Sequence, residues 1–184
     1  MRVIAGAARG VPLHTPRSEL RPTMDVVKGA IFSSVGDFVI GARVLDLFAG
    51  TGALGIEALS RGAASVTFVE NDRRAVAAIQ RNLEKTRLAG AVQSADVFRF
   101  LDRSAAPASF DLILADPPYS KAPGERDFAP ELLASEPLRR ALAPGGIFIL
   151  EHLPGAALPL GEHWEIARDK RYGATAVAFL RPLK

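Results

Sequence analysis

The sequence contains no cysteine. This absence excludes disulfide bridges, thiolate metal ligands and a cysteine nucleophile. No apolar run approaches the roughly 18 residues that a membrane-spanning helix needs. The start of the chain, Met1-Arg2, is not followed by the sustained apolar segment of a signal peptide. We therefore expect a soluble, cytoplasmic protein that makes no contact with a membrane.

The composition is that of an ordinary folded protein. Of the 184 residues, 48% are hydrophobic and 23% are charged, which excludes a disordered, collagen-like or coiled-coil chain. The formal net charge is +3, and residues 1–43 hold six Lys or Arg against three Asp or Glu. A basic amino-terminal segment favours an anionic partner there. A solvated basic surface explains the same charge equally well.

Apolar segments typical of strands alternate with segments of helical spacing along most of the chain. We predict strands at 43–48, 65–70, 91–95, 110–115 and 147–151, separated by helices at 52–61, 72–88, 97–101 and 132–142. Segments 164–168 and 174–180 flank a turn and predict a closing antiparallel hairpin. This alternation indicates a mostly parallel, doubly wound α/β sheet that is buried under helices on both faces.

A shorter segment with its own pattern precedes the alternation. Residues 2–5 and 10–14 predict the two strands of a small hairpin, and Thr23 can cap a helix over 24–35. We therefore divide the chain into an amino-terminal hairpin-and-helix extension, residues 1–40, and a sheet domain, residues 41–184.

The first predicted strand ends at a glycine-rich turn, DLFAGTGALG from Asp46. Glycines let the backbone approach a ligand and expose N–H groups at the start of a helix. Glu70 ends the next strand, where an acid can accept hydrogen bonds from ribose hydroxyls. A dinucleotide dehydrogenase shares this pattern. However, the Asp46 carboxylate would repel a pyrophosphate, and it suits a ligand that carries an ammonium and a sulfonium group.

Asp96 follows the third predicted strand and allows two interpretations. Its carboxylate can accept a hydrogen bond from an adenine amine, or it can cap the helix that begins at Val97. The two roles are compatible with one another.

The fourth predicted strand ends in Asp116-Pro117-Pro118-Tyr119. The prolines constrain the backbone and carry no N–H donors, so the Asp116 carboxylate and the Pro117 carbonyl can both accept from a single NH2 group. Holding the two hydrogens of an aromatic amine in this way returns the lone pair to nitrogen. Tyr119 offers a face on which a splayed-out base can stack. The alternative is a Pro-Pro turn with a buried tyrosine.

These motifs resemble those of class I S-adenosylmethionine-dependent methyltransferases that act on exocyclic amines. The RVIAG segment from Arg2, Arg9-Gly10, Arg21-Pro22-Thr23, the run from Asp46 to Ala63 and the DPPY are more specifically similar to the RsmD family. This resemblance covers almost the whole chain and implies a Rossmann-like methyltransferase sheet. It also implies methyl transfer to the N2 amine of one guanine in 16S ribosomal RNA, at a site of the G966 type, on an assembled or nearly assembled small subunit.

The resemblance further implies roles for individual residues. S-adenosylmethionine, with S-adenosylhomocysteine as the product, would be bound by Asp46, Ala49, Gly50, Thr51, Gly52, Glu70, Asn71, Asp96 and Val97. The target base would be held and stacked by Asp116, Pro117, Pro118 and Tyr119. RNA contacts would come from Arg2, Arg9, Arg21, Thr23, Lys28, Arg171 and Tyr172, for each of which a plain surface role is an equal alternative. We expect no metal, because the three histidines show no ligand spacing, and we expect a monomer.

Two other functions compete with this interpretation. A DNA adenine-N6 methyltransferase uses the same amine chemistry, but such enzymes usually need a sizeable target-recognition region, for which the short extension leaves little room. A non-catalytic RNA-binding module could keep the fold, but the intact DPPY argues against it.

Overall fold

The computed structural model describes residues 1–15, 24–120 and 124–183. Its strands are β1 Arg43–Leu47, β2 Ser65–Glu70, β3 Ala91–Ser94, β4 Phe110–Ala115, β5 Leu142–His152, β6 Trp164–Tyr172 and β7 Thr175–Pro182. They form one sheet in the order β3-β2-β1-β4-β5-β7-β6. β1 to β5 pair in parallel, whereas β7 runs antiparallel to β5 and to β6. The predicted mostly parallel sheet and its antiparallel hairpin are confirmed.

Helices cover both faces of this sheet, as the doubly wound interpretation requires. Their bounds are α1 Met24–Val35, α2 Ala53–Ser60, α3 Arg73–Thr86, α4 Val97–Arg103, α5 Phe128–Ala134 and α6 Glu136–Ala141, with a 3-10 turn at Gly36–Val39. On one face, Phe32 of α1 and Ile56 of α2 join Phe68 of β2 in a buried core. On the other face, Leu101 of α4 and Leu138 of α6 belong to a second core. Within the described ranges, no helix combines the length and the apolar character that crossing a membrane requires.

The single helix predicted over 132–142 is wrong, because the chain forms two short helices there. The side chain of Ser135 accepts a hydrogen bond from the N–H of Leu138 at 3.2 Å and starts α6. Pro137 would remove a hydrogen bond from a continuous helix and collide with the carbonyl of Leu133. That carbonyl instead accepts from the indole N–H of Trp164 at 2.8 Å. Trp164 is 2% exposed and therefore belongs to the core.

The two strands predicted at 2–5 and 10–14 are also wrong, because the described residues there form only one antiparallel bridge, Arg2 with Pro12. The hairpin turn itself exists, with the N–H of Val3 donating to the carbonyl of Val11 at 3.0 Å. Pro12 has no N–H to donate. The N–H groups of Ile4 and Ala5 donate to the Glu57 carboxylate of α2, so they are not available to a strand.

The amino-terminal extension packs into the core of the first sheet face. Val3 and Ala8 of the hairpin and Phe32 of α1 lie in the same buried cluster as Leu114 of β4. Because the core is continuous across residue 40, the division there is not a break in packing. That the extension has its own role in binding a partner stays a prediction. Thr23, the predicted cap of α1, lies outside the described residues.

Strand order determines where a ligand can enter. β1 lies beside β4 in the sheet although two strands separate them along the chain. The chain leaves β1 toward α2 on one face and leaves β4 toward α5 on the other. In doubly wound sheets, a crevice opens at such a point, beyond the carboxyl ends of the strands.

Candidate active site

A cleft of about 470 Å³ opens at the carboxyl ends of the central strands. Eight of the nine residues predicted to bind a cofactor line it, and all four residues of the DPPY motif do so as well. The exception is Gly52, which is not among the described lining residues and instead caps α2 with a φ of 78°. The topology thus brings together motifs that are far apart in the sequence.

The turn after β1 is held in a conformation that favours glycine. Gly50 and Gly52 have positive φ angles of 54° and 78°, and the Gly52 N–H donates to the carbonyl of Ala49 at 2.7 Å. Phe48 also adopts a positive φ, 54°, which is uncommon for a bulky residue and stores strain. The turn therefore leads directly into the amino end of α2, whose first residues, Ala53 and Leu54, line the cleft.

Asp46 is a buried carboxyl at the end of β1. It is 1% exposed and accepts a hydrogen bond from the N–H of Gly55 at 2.9 Å. Burial, with smaller contributions from Asp116 and Glu70, raises the pKa of Asp46 to about 8, although the Gly55 hydrogen bond opposes this shift. Gly55 must be glycine, because an added Cβ would lie 2.3 Å from the Phe68 ring and 2.9 Å from the Asp46 carboxylate.

Glu70 links the end of β2 to the glycine turn. Its carboxylate accepts hydrogen bonds from the N–H groups of Gly50 at 2.8 Å, Asn71 at 2.8 Å and Asp72 at 2.9 Å. The side chain is thereby fixed in orientation and also lines the cleft. A fixed carboxylate beside the turn is available to accept further hydrogen bonds from a bound ligand.

Asp96 caps α4, as one of its two interpretations predicted. Its side chain accepts from the N–H of Arg99 at 3.0 Å, and both Asp96 and Val97 line the cleft. Capping leaves the second carboxylate oxygen able to accept from a ligand amine, so the cofactor role stays a prediction.

The DPPY motif follows β4 and lines the cleft together with Glu151 of β5 and Thr175 of β7. The hydroxyl of Tyr119 is hydrogen-bonded to the hydroxyl of Thr175, the first residue of β7. Thr175 also donates to the carboxylate of Glu151 at 3.4 Å. The carboxyl-terminal hairpin therefore anchors the tyrosine of the motif.

An aromatic cluster forms one rim of the cleft. The rings of Phe48 and Phe128 lie 5.1 Å apart, and those of Phe98 and Phe128 lie 6.3 Å apart. The guanidinium of Arg126 lies over Phe98 and Phe128 at 4.9 Å and 4.7 Å, and it pairs with Glu131 at 2.6 Å. These contacts hold Arg126 against α5 and α4.

The prediction that Lys28 contacts RNA is wrong. Its side chain is 2% exposed and donates to the carbonyl of Arg2 at 2.6 Å. Its ammonium also pairs with Glu57 at 3.5 Å and with Asp25 at 3.7 Å. Burial is the largest cause of a lowered Lys28 pKa, against the opposing effect of the two acids. The ammonium stabilises the junction of the hairpin, α1 and α2 and is not available to a phosphate.

The other predicted RNA contacts are distributed over two exposed regions. Arg2 and Arg9 are exposed on the hairpin, and Arg171 is exposed at the end of β6, where it donates to the carbonyl of Gly173 at 3.0 Å. Tyr172 is half-buried against the first core. Arg21 and Thr23 lie outside the described residues.

Several lining residues were not found by sequence analysis. They are Met1, Met24 and Val27 of the extension, and Phe48, Ala53, Leu54, Arg126, Phe128, Glu151, Ala174 and Thr175 elsewhere. Glu151 carried a usable signal, since it is an acid near the carboxyl end of a predicted parallel strand. Thr175 carried none, because only the antiparallel pairing of β7 brings it to the cleft.

Acidic side chains dominate the charge of the cleft. Among the described lining residues, the acids are Asp46, Glu70, Asp96, Asp116 and Glu151, and the cations are Lys28 and Arg126. Both cations are paired with carboxylates outside the cleft lining, Glu57 and Glu131. A ligand with positive charge therefore fits this cleft, whereas a pyrophosphate does not.

Comparisons with known proteins agree with this geometry. The model of a family described as Conserved hypothetical protein 95 matches residues 1–181. Ribosomal RNA small subunit methyltransferase D of Haemophilus influenzae is 33% identical over 94% of this chain and 89% of its own length. A hypothetical protein of Thermus thermophilus has a similar structure, with a TM-score of 0.79 and 31% identity over 97% of this chain and 98% of that one.

A further solved structure is that of the 16S rRNA N2 G1207 methyltransferase RsmC of Thermus thermophilus, in complex with AdoMet and guanosine. Its TM-score is 0.71 at 28% identity, and the match covers 89% of this chain and 43% of that one.

Proposed function

Because this chain belongs to the RsmD family of ribosomal RNA methyltransferases, we propose that it methylates the exocyclic N2 amine of a guanine in 16S ribosomal RNA. The methyl donor in this proposal is S-adenosylmethionine, and the substrate is the assembled or nearly assembled small subunit. The observation that carries the proposal is the position of Asp116-Pro117-Pro118-Tyr119 in the same cleft as the buried Asp46 and the glycine turn.

The charged and hydrogen-bonding residues of the cleft fit S-adenosylmethionine. The Asp46 carboxyl, whose pKa burial raises to about 8, gains from a cationic ligand that favours its ionised form. In this proposal, Glu70 would accept hydrogen bonds from the ribose hydroxyls, and Asp96 with Val97 would bind the adenine. When bound, S-adenosylmethionine supplies a methyl group on a sulfonium centre, which is a good leaving group. The RsmC structure, an AdoMet complex of the same fold, supports this choice.

Asp116 and Pro117 would activate the target amine. Their carboxylate and carbonyl oxygens would accept hydrogen bonds from the two N–H groups of the amine, which directs the nitrogen lone pair toward the incoming methyl group. Nitrogen forms a bond to the methyl carbon, the carbon–sulfur bond breaks, and the electron pair stays on sulfur. The methylated amine then loses one proton through Asp116 to solvent. Much of the rate enhancement would come from positioning.

The exposed basic residues would contact RNA phosphates. Arg2 and Arg9 lie on the hairpin, and Met1 of the same hairpin lines the cleft. Arg171 lies at the end of β6, next to the turn that carries Ala174 of the cleft lining. Arg21 and Thr23 remain predicted contacts. Phosphate contacts of this kind position an RNA, while the target base is read inside the site.

The proposal is tested by methyl transfer from labelled S-adenosylmethionine. Three substrates are compared: small ribosomal subunits that lack the modification, naked 16S RNA and genomic DNA, with the methylated nucleosides identified by mass spectrometry. We expect N2-methylguanosine, mainly from the subunits. N6-methyladenine from DNA would overturn the substrate and favour the DNA methyltransferase alternative. Absence of transfer to all three, despite cofactor binding, would overturn the proposed activity.

Two variants test the assigned chemistry. Asp116→Ala should reduce transfer by at least ~10²-fold, because the amine loses an acceptor in the transition state, while binding of S-adenosylmethionine by isothermal titration stays within about threefold. Asp102→Ala, in the exposed part of α4, is the matched control and should behave as the unsubstituted protein. Transfer by Asp116→Ala at a near-normal rate would contradict the mechanism.

A further inference from the structure

Glu151 lies beside the DPPY motif at the end of the neighbouring strand. Ala115 of β4 pairs with Leu150 of β5, so the residues that follow them, Asp116 and Glu151, are adjacent. Strands in a sheet are about 4.8 Å apart, and alternate residues share a face. Glu151 is therefore on the same sheet face as Ile149, and both Asp116 and Glu151 line the cleft.

Hydrogen bonds tie Glu151 to the residue that would stack the base. Thr175 donates to the Glu151 carboxylate at 3.4 Å, and the same hydroxyl is hydrogen-bonded to Tyr119. Thr175 is 9% exposed, so water does not readily replace it. The carboxylate is thus held in a defined place relative to the tyrosine ring.

Glu151 also lies where two cavities meet. A small cavity of about 50 Å³ lies next to the main cleft, and the residues that border both are Pro117, Pro118, Tyr119 and Glu151. A base that reaches the DPPY from outside would therefore meet the Glu151 carboxylate together with the Asp116 carboxylate.

Asp116 and Pro117 do not account for the choice of base. Two acceptors fit the two hydrogens of any exocyclic amine, whether on guanine or on adenine. The neighbouring ring atom differs: in guanine, N1 carries a hydrogen and donates, whereas in adenine N1 has a lone pair and accepts. An ionised carboxylate only accepts hydrogen bonds. A carboxylate beside N1 therefore accepts the N1–H of guanine, whereas beside adenine it would face another acceptor, the N1 lone pair.

We propose that Glu151 accepts the N1–H of the target guanine and so selects guanine over bases whose N1 is unprotonated. This specificity role rests on the proposed function. A site that pairs with a donor rejects an analogue without it, because buried polar groups are then left unpaired.

The test compares guanine with 2-aminopurine at the modified position. 2-Aminopurine keeps the N2 amine and has an unprotonated N1. It is placed in 16S RNA by ligation of a synthetic oligonucleotide, and the RNA is reconstituted into small subunits. We expect the unsubstituted enzyme to prefer guanine roughly 100-fold in kcat/KM. For Glu151→Gln the preference should fall below about tenfold, because a glutamine amide can turn and donate to N1.

Controls separate this role from a structural one. Loss of O6 in 2-aminopurine affects both enzymes alike, so the change in the ratio isolates N1. Glu165→Gln, an exposed position in β6, should leave the ratio unchanged. If Glu151→Gln transfers a methyl group to neither base, the affinities for the two kinds of subunit are compared instead, with S-adenosylhomocysteine present. Binding of the 2-aminopurine subunits is followed by 2-aminopurine fluorescence, and binding of the guanine subunits by their displacement of the 2-aminopurine subunits.

An unchanged ratio in Glu151→Gln, by turnover or by affinity, would overturn the inference while leaving the proposed function intact. An unsubstituted enzyme that does not methylate the guanine-containing subunits would instead overturn the proposed function. A ratio that collapses only in Glu151→Gln supports both.

Discussion

Glu57 connects the hairpin, α1 and α2 through buried contacts, which makes it a sensitive point for stability. It is fully buried in α2 and accepts hydrogen bonds from the N–H groups of Ile4 at 2.8 Å and Ala5 at 3.0 Å. It also pairs with Lys28 of α1 at 3.5 Å and with Arg61 at 2.8 Å. One carboxylate therefore neutralises a buried ammonium and holds the hairpin in place.

We predict that Glu57→Gln lowers the free energy of unfolding by about 3–5 kcal/mol, the usual cost of removing one partner of a buried ion pair. The glutamine has nearly the same volume but no charge, so the buried Lys28 ammonium loses the nearer and fully buried of its two carboxylate partners and keeps only the more exposed Asp25 at 3.7 Å. For a chain of this size, 1 kcal/mol corresponds to roughly 2–4 °C, so Tm should fall by roughly 6–20 °C. Urea unfolding followed by circular dichroism measures the free energy, and a thermal scan measures Tm.

Two further variants decide whether the buried charge is the cause. Glu84→Gln removes a carboxylate from an exposed position in α3 and should change the free energy of unfolding by less than about 0.5 kcal/mol. Adding Lys28→Met to Glu57→Gln removes the buried ammonium that has lost its Glu57 partner and should restore at least half of the lost stability. The reasoning is refuted if Glu57→Gln costs less than about 1 kcal/mol, or if the double variant is less stable than Glu57→Gln alone.

Four other predictions concern the cleft and the residues that support it. The pKa of Asp46 is raised to about 8, so cationic S-adenosylmethionine must displace a proton from Asp46 when it binds below that pH. The affinity for S-adenosylmethionine, measured by isothermal titration, should rise by up to about tenfold per pH unit from pH 6 to 8 and then level off. Asp46→Asn should abolish this pH dependence. The same raised pKa means that Asp46 keeps its proton in the folded state up to about pH 8, whereas in the unfolded state it loses it near pH 4. The contribution of Asp46 to the free energy of unfolding of the ligand-free protein should therefore fall as pH rises from about 4 to 8. Asp46→Asn should reduce this pH dependence, as measured by urea unfolding. Gly55→Ala, whose Cβ would lie 2.3 Å from a phenylalanine ring, should cost at least ~3 kcal/mol, whereas Gly29→Ala, with its nearest contact at 3.5 Å, should be neutral or stabilising by urea unfolding. Tyr119→Phe and Thr175→Val each break the same hydrogen bond between the two hydroxyls, so their effects on kcat/KM should not add in the double variant. Fully additive losses would contradict the anchoring role of Thr175.

Sequence patterns predicted most of the fold because the relevant signals are local. Apolar runs of strand length, glycine turns and an acid such as Asp72 before a helix act over a few residues, and the strands and helices from β1 to β4 agree closely with prediction. The failures had two causes. The helix predicted over 132–142 divides at local signals, the Ser135 cap and Pro137, whereas the missing hairpin strands and the position of Trp164 depend on contacts between distant segments. Glu57 takes the hairpin N–H groups that a strand would have used, and the acceptor for the Trp164 indole lies at the end of α5.

The candidate site was predictable to the extent that it follows strand ends. Asp46, Glu70, Asp96 and Asp116 each follow or end a predicted parallel strand, and parallel strands present their carboxyl ends at one edge. Lys28 was assigned wrongly because a sequence shows charge and not burial. Thr175 was missed because it belongs to an antiparallel strand, whose first residue, and not its last, lies at that edge.

The sequence by itself determined which chemical groups are available to this protein: a glycine turn with an acid before it, and an Asp-Pro-Pro-Tyr motif after a buried strand. It did so because backbone constraint and side-chain chemistry belong to each short segment. Only the tertiary structure decided that these groups share one acidic cleft and that Lys28 is buried in an ion pair with Glu57. It also decided that Glu151 lies beside Asp116 and accepts a hydrogen bond from Thr175. Those outcomes depend on β1 pairing with β4 and β5 with β7, and such pairings are set by how distant segments pack together.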